Sequence, residues 1–277
     1  MLEPQSTKYL IATDLDGTLL DHHSYSHASA EPALTLCQKL NIPVIFNTSK
    51  TVDETVRLRG DLNNQHPYIV ENGSAVIIPE HYFTPMPQEC SAHGDTVRCF
   101  GHTRTDILAI LESVNKDNRF RYTGFSDWNT EEIAEKTGLS IQSAEEANQR
   151  DYSEPLLWQD SEQRLAEFNT LIQQQGLKIL QGGRFLHVLG ETDKGKALNW
   201  LKALYEQDSK QSVTLIVLGD SDNDVEMLEA ADIAILVRSP VRAAPRLSGN
   251  NRVIHTQAYG PEGWNEAILK LIQEHRD

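Results

Sequence analysis

The chain has 277 residues, 39% of them hydrophobic and 23% charged, which excludes a disordered polymer and suits a large core carrying an inserted or appended unit. With 40 acids against 25 bases, the net charge of −15 argues against nucleic acid or an anionic membrane as partner, but not against a small anion met by local cations or a metal. No apolar stretch approaches the ~20 residues that span a bilayer, and no secretory leader pattern opens the chain.

In chain order, strands are predicted over Tyr9–Thr13, Pro43–Asn47, Tyr68–Val70, Val213–Leu218 and Asp232–Val237. Thr51 and Glu54 have capping-box spacing at the start of a helix, with Gly60 as its stop. "VENGSAVII" reads as a hairpin about Asn72-Gly73. From Thr84 to Gly190 the pattern changes: the helical stretches "TEEIAEKTG" and "SEQRLAEFNTLIQQQG" precede a second hairpin, "LKILQGGRFLHVL", about Gly182-Gly183. "TDKGKALNWLKALYEQ" then places Ala197, Leu198, Leu201 and Leu204 on one helix face. "YGPEGWNEAI" starts a last helix, with Pro261 in its first turn and Trp264 on the core.

Near-continuous apolar strands alternating with helices predict an α/β protein. Its core is a Rossmann-like parallel sheet with helices on both faces, and ligands lie beyond the strands' carboxyl ends. The expected division is core 1–83, an inserted smaller α/β cap 84–190, and core 191–277. Cys37, Cys90 and Cys99 form no CxxC or zinc spacing. Three free thiols in a reducing cytoplasm are expected, with a Cys90–Cys99 bridge as the alternative.

Four strand ends carry chemistry. The first strand runs into "DLDGT", where Asp14 and Asp16 bracket a single residue and Gly17 breaks the strand geometry, so the two carboxyls point differently; a capped turn is the competing reading. "PVIFNTSKT" ends in Thr48, Ser49 and Lys50 at a strand-to-helix junction, suited to a phosphate oxygen or simply to capping the helix. Lys194 begins a helix, a poor place for a cation unless an anion lies outside, although a solvated lysine is the alternative; Lys196 is expected in solvent. "LIVLGDSDNDVEML" crowds Asp220, Asp222 and Asp224 around Asn223, a repulsion that a cation or hydrogen bonds must compensate, with Mg2+ the reading for Asp220 and Asp224. Asp222 is read as capping the next helix.

Together, "DLDGT", Thr48, Lys194 and "GDSDND" resemble the motifs of the haloacid dehalogenase (HAD) superfamily, in its order and across the whole core. The insertion falls between the second and third motifs, where larger α/β caps occur in that superfamily. "NTSKT", "VENGSAV", "GGRFLHVLGETDKGKAL" and "YGPEGW" are similar to the mannosyl-3-phosphoglycerate phosphatases, and Thr48-Ser49-Lys50 departs from the Thr-Gly-Arg of generic sugar phosphatases. The resemblance implies Asp14 as nucleophile and Asp16 as acid and base. It implies Mg2+ on Asp14, the Asp16 carbonyl and Asp220 with Asp224 in support, and Thr48 and Lys194 on the phosphoryl oxygens.

The implied partner is a small anionic sugar phosphate, met by Ser49, Lys50, Glu71, Asn72, Arg184, His187 and Asn223. Arg184 suits a glycerate carboxylate, but it is also readable as a solvated hairpin residue, and Glu71 as no more than a partner of Lys50. His22, His23 and His102 show no ligand spacing and are read as surface or packing residues. The competing functions are a sugar phosphomutase and a non-catalytic metal or phosphate module.

Overall fold

The computed structural model describes residues 8–87, 90–92, 94–182, 184–249 and 252–274. The first core segment is β1 (Lys8–Thr13), α1 (Glu31–Lys39), β2 (Val44–Phe46) and α2 (Val52–Asp61). Four short strands follow: β3 (Tyr68–Val70), β4 (Ala75–Ile78), β5 (Cys90–Ala92) and β6 (Asp95–Cys99). The next unit contains α3 (Arg104–Asn118), β7 (Tyr122–Gly124), α4 (Thr130–Thr137), α5 (Ile141–Asn148), β8 (Ser153–Trp158), α6 (Glu162–Gln173), β9 (Leu177–Gly182) and β10 (Phe185–Gly190). The chain then returns through α7 (Lys194–Ser209), β11 (Val213–Gly219), α8 (Val225–Glu229), β12 (Ile233–Arg238), β13 (Arg252–Tyr259) and α9 (Gly260–Glu274).

The core is a five-stranded parallel sheet ordered β13-β12-β11-β1-β2. Alternate residues of its apolar strands feed two separate clusters. Leu10, Ala12, Leu215 and Val217 pack with Ala197, Leu198 and Leu201 of α7 and Met227 of α8. Ile11, Ile216 and Leu218 pack with Cys37 of α1 and Trp264, Ile268 and Leu271 of α9. Both faces are therefore covered, which is why the strands read as continuous apolar runs. Trp264 is fully buried and its indole donates to Thr13 Oγ1 at 3.1 Å, satisfying the one polar atom that its burial would strand.

Two four-stranded antiparallel sheets complete the fold, ordered β3-β4-β6-β5 and β7-β8-β10-β9. The first joins the core through an Asn47–Ile69 bridge. The second has its own apolar interior, built from Ile107, Leu111, Phe168, Ile172, Leu186 and Val188 under α3 and α6. Since β5 and β6 pair with β4 and not with this second sheet, we propose that the cap begins near residue 101 rather than at 84.

Local details differ from expectation at three turns. Helix α2 runs through Gly60 and ends at Asp61, and the left-handed position that follows it is Asn63, at φ 48, not Gly60. The first hairpin turns through Glu71-Asn72-Gly73, all at positive φ, not through a two-residue loop. In the second hairpin Gly182 still pairs with Phe185, and Gly183 lies outside the described residues. Cys37 and Cys99 are free thiols, and the Cys90 side chain also lies outside what is described. No helix among the described residues is long and apolar enough to cross a membrane.

Candidate active site

β1 stops at Thr13, so Asp14 is the first residue past the sheet's carboxyl edge, and β11 stops at Gly219, immediately before Asp220. Thr13 and Leu218 are in register, and Asp14 N donates to Leu218 O at 3.0 Å, so two acids 206 positions apart must meet at one sheet edge. Lys194 enters from the other side as the first residue of α7, capped by the Asp193 carboxylate on Lys196 N.

Lys194 Nζ lies 2.6 Å from Asp14 Oδ1 and 2.7 Å from Asp224 Oδ1, with all three side chains buried. Its anion is thus inside the protein, which explains a lysine at a helix N-terminus. Asp14, Asp220 and Asp224 each bring an oxygen within 4.8 Å of the others. Three buried carboxylates against one ammonium leave two formal negative charges, which a single divalent cation cancels. The titration behaviour agrees. Burial, with Asp224 and Asp220 adding to it against the pull of Lys194, pushes Asp14 up to about 8. Burial and Asp224 push Asp220 up to about 6, against the hydrogen bond from Thr18. The residues therefore fit a divalent ion. Asp224 is already saturated: its Oδ2 accepts from Asp220 N, Ser221 N and Ser221 Oγ, each at 3.1 Å. It fixes the loop and Lys194 more than it offers a free oxygen.

Asp16 is placed differently. Its Oδ2 pairs with Lys50 Nζ at 2.9 Å, and its Oδ1 is buried with no partner. Lys50 also reaches Glu54 at 3.7 Å and stands 5.4 Å from the Tyr25 ring centroid. Burial alone would lower the Lys50 ammonium, but Asp16 and Glu54 hold it above its ordinary value. Thr48 is buried beside these groups, with its Oγ1 accepting from Lys50 N at 3.1 Å.

Asp14, Asp16, Ser49, Lys50, Asn72, Asp220 and Asn223 line one cleft of about 330 Å3, roofed by the second antiparallel sheet through Phe185 and His187. Period-2 alternation on β10 sends Leu186 and Val188 into the cap interior, and Phe185 and His187 to the cleft. Asn223 Nδ2 donates to Asn72 Oδ1 at 3.2 Å, joining the two loops.

Two expected contacts go elsewhere. Glu71 pairs with neither Lys50 nor the cleft. Its buried carboxylate accepts from Asp151 N at 2.9 Å and Ser153 Oγ at 2.5 Å and pairs with Arg150 at 3.6 Å, fastening the cap. Arg184 is exposed and not part of the cleft lining, and it donates to Thr137 O at 2.9 Å. Asp222 is exposed at the helix start, while Ser221 and Asp224 form the capping box there. Lys196 is exposed as expected, but His22 lines the cleft mouth. The sequence reading missed Arg150, Tyr25, Phe125 and Arg242 in the lining. The spacing around them carries no motif; only an arginine just before a strand was there to notice.

A sequence model described as haloacid dehalogenase-like hydrolase matches residues 11–243. The chain is 40% identical over 271 residues to the glucosyl-3-phosphoglycerate/mannosyl-3-phosphoglycerate phosphatase of Methanococcoides burtonii, covering 98% of this chain and 99% of that one. It is 34% identical to the protein of the same name from Persephonella marina, covering 96% and 97%. Among solved structures, the sucrose-phosphatase of Synechocystis in complex with sucrose and phosphate aligns with a TM-score of 0.60 at 15% identity, over 98% and 99% of the chains. A HAD-superfamily phosphatase from Bacteroides thetaiotaomicron aligns with 0.64 at 17%, over 99% and 98%. At these identities the structural likeness speaks for the fold.

Proposed function

The chain belongs to the haloacid dehalogenase-like hydrolase family, and from that premise we propose that it hydrolyses the phosphate ester of a glucosyl- or mannosyl-3-phosphoglycerate, releasing the glycosylglycerate and phosphate. The observation that carries this reading is the asymmetry of two acids one residue apart. Asp14 is buried against a lysine at 2.6 Å, whereas Asp16 keeps one buried oxygen without a partner in the same cleft. Near full-length likeness to two phosphatases of that name supports the substrate class.

In the proposed reaction an Asp14 oxygen attacks phosphorus and forms an aspartyl-phosphate, while Asp16 Oδ1 delivers its proton to the departing glycerate oxygen. Asp16 then takes a proton from the water that releases phosphate. Lys194 and Thr48 hold phosphoryl oxygens, and Lys50 keeps the Asp16 carboxyl aimed at the leaving group. Asp14, Asp220 and the Asp16 carbonyl, with Asp224 in support, would hold a Mg2+ ion, which would supply the charge that lets a carboxylate and a phosphate approach. Free thiols at Cys37 and Cys99 fit our placement of the enzyme in a reducing cytoplasm.

Phosphate release from purified protein tests the reading. Asp14→Asn and Asp16→Asn each reduce turnover at least about 1,000-fold without changing the fold, and full activity in either refutes the mechanism. EDTA stops release and magnesium restores it. Stoichiometric free phosphate, formed without a bisphosphate activator, separates hydrolysis from phosphomutation.

A further inference from the structure

Among the described residues, three side-chain polar atoms around the cleft are buried without a partner: Asp16 Oδ1 on the core side, and Arg150 Nε and His187 Nδ1 on the cap. The first is claimed by the leaving group. The other two belong to no step described above, and most buried donors in native proteins have partners. Phe125, Leu139, Leu180 and Phe185 share the cap wall with Thr137 and Gln181.

The Arg150 side chain is only 6% exposed. Its Nη1 donates to Ser153 Oγ at 2.9 Å, and both terminal nitrogens touch Ser49 O at 3.4 and 3.5 Å. Glu71 lies 3.6 Å from Nη1. The terminal nitrogens therefore fasten the cap to the core, and Nε remains. The Nε–Nη2 edge of a guanidinium matches a carboxylate in two parallel hydrogen bonds, and the long Nη2–Ser49 contact leaves that edge with hydrogen-bonding capacity to spare. His187 stands in the charge field of Arg150; burial first, and that charge second, push it down to about 3, so it is a neutral ring with one N–H to offer.

The remaining cations of the site are engaged or exposed. Lys194 holds Asp14 and Asp224, Lys50 holds Asp16 and Glu54, and Arg242 is exposed at the rim. A phosphoglycerate ester brings a carboxylate besides its phosphate, and the phosphate is met on the core side.

We propose that Arg150, backed by His187, forms the subsite for the carboxylate of the phosphorylated hydroxy acid, and so sets the preference for phosphoglycerate esters over phosphate esters that lack a carboxylate. This rests on the reading of the cleft as a glycosyl-phosphoglycerate phosphatase site. It also moves the carboxylate contact from Arg184, which is exposed and not part of the cleft lining, to an arginine on the loop before β8.

Two matched pairs test it, one reacting and one inert. Glucosyl-3-phosphoglycerate is compared with the glycosylglycerol phosphate in which hydroxymethyl replaces the carboxylate, by kcat/KM. Glucosylglycerate is compared with glucosylglycerol by calorimetry, which needs no turnover. Wild type favours the carboxylate member at least about tenfold in each pair. Arg150→Gln reduces that ratio at least about tenfold, and His187→Phe about threefold. Arg150→Lys, which keeps a charge beside Glu71, serves if the glutamine variant does not fold, and it too lowers the ratio. A merely structural arginine would depress both members together and leave the ratio unchanged, and that result overturns the proposal, as does a wild type without preference in the inert pair. If glycosyl-phosphoglycerates prove no better than simple sugar phosphates while the inert pair still shows an Arg150-dependent preference, the substrate reading fails and the subsite stands.

Discussion

Lys194 Nζ bridges Asp14 and Asp224 at 2.6 and 2.7 Å inside the protein, while Lys50 holds Asp16 at 2.9 Å where the side chains are partly open to water. Breaking a buried pair costs far more than breaking an exposed one, because the orphaned charge stays desolvated. In chelator, Lys194→Met should therefore lose on the order of 3–5 kcal/mol in chemical denaturation. Magnesium should recover part of it by binding only the folded state. An unchanged midpoint would mean that Lys194 is not the main counter-charge. His66 shows the same physics with the opposite sign. Its Nδ1 contacts Tyr82 OH at 2.7 Å, and burial, then Arg59, push it down to about 4. A base depressed in the fold binds its proton first in the unfolded chain, so its contribution is complete above about 6.5 and is lost as pH falls toward 4. That is a loss of about 3 kcal/mol. Denaturation midpoints at pH 7 and pH 5 should differ less in His66→Gln than in wild type.

Strand ends made the core half of the site legible from sequence. A parallel sheet delivers consecutive strand ends to one edge, so Asp14, Thr48 and Asp220 had to converge once β1, β2 and β11 were recognised. Arg150 was not legible because its partners lie far off in sequence: Ser49 is 101 positions away, and no local pattern encodes that meeting. Arg184 was misplaced for a related reason, since a hairpin residue's direction depends on which sheet face the turn presents. The start of α7 is likewise fixed from outside. Gly73, at φ +89, closes the β3–β4 turn against it, and a Cβ there would stand 2.2 Å from Asp193 O and 2.7 Å from Lys194 N. Thr192 Oγ1 donates to Gly73 O at 2.9 Å and Asn47 Nδ2 to Lys194 O at 3.0 Å, so the turn, β2 and α7 are set as one piece. Gly73→Ala should cost more than about 3 kcal/mol, from left-handed strain plus a backbone collision, and displace Lys194 from Asp14. A thermal midpoint within 2 °C of wild type would contradict this, at about 2–4 °C per kcal/mol for a chain near this size.

At the scale of the whole molecule, our proposal puts chemistry and choice of substrate on different bodies. The acids, Lys194 and Lys50 belong to the core, while Arg150, His187, Phe125 and Phe185 belong to the cap. The contacts holding the two together are polar and apolar: Thr51 Oγ1 donates to Glu146 O at 2.9 Å, Arg57 pairs with Glu146 at 3.1 Å, Glu71 receives the Asp151–Ser153 segment, and Tyr152 of the cap packs on the apolar core. Each body also has its own apolar interior. The chain crosses the seam at Gly101 and again at Gly190, and these two backbones touch. A Cβ on Gly190 would stand 2.7 Å from Gly101 Cα and 2.9 Å from His102 N. Gly190→Ala must therefore part the connectors and tilt the cap wall relative to the core floor. The floor can still cleave an ester that never reaches the cap. For Gly190→Ala, kcat/KM on glucosyl-3-phosphoglycerate should fall at least about tenfold more than on p-nitrophenyl phosphate, since displacements near 1 Å at a positioning wall cost about 100-fold. Equal losses on both substrates would place the damage in the floor and refute the division of labour between core and cap.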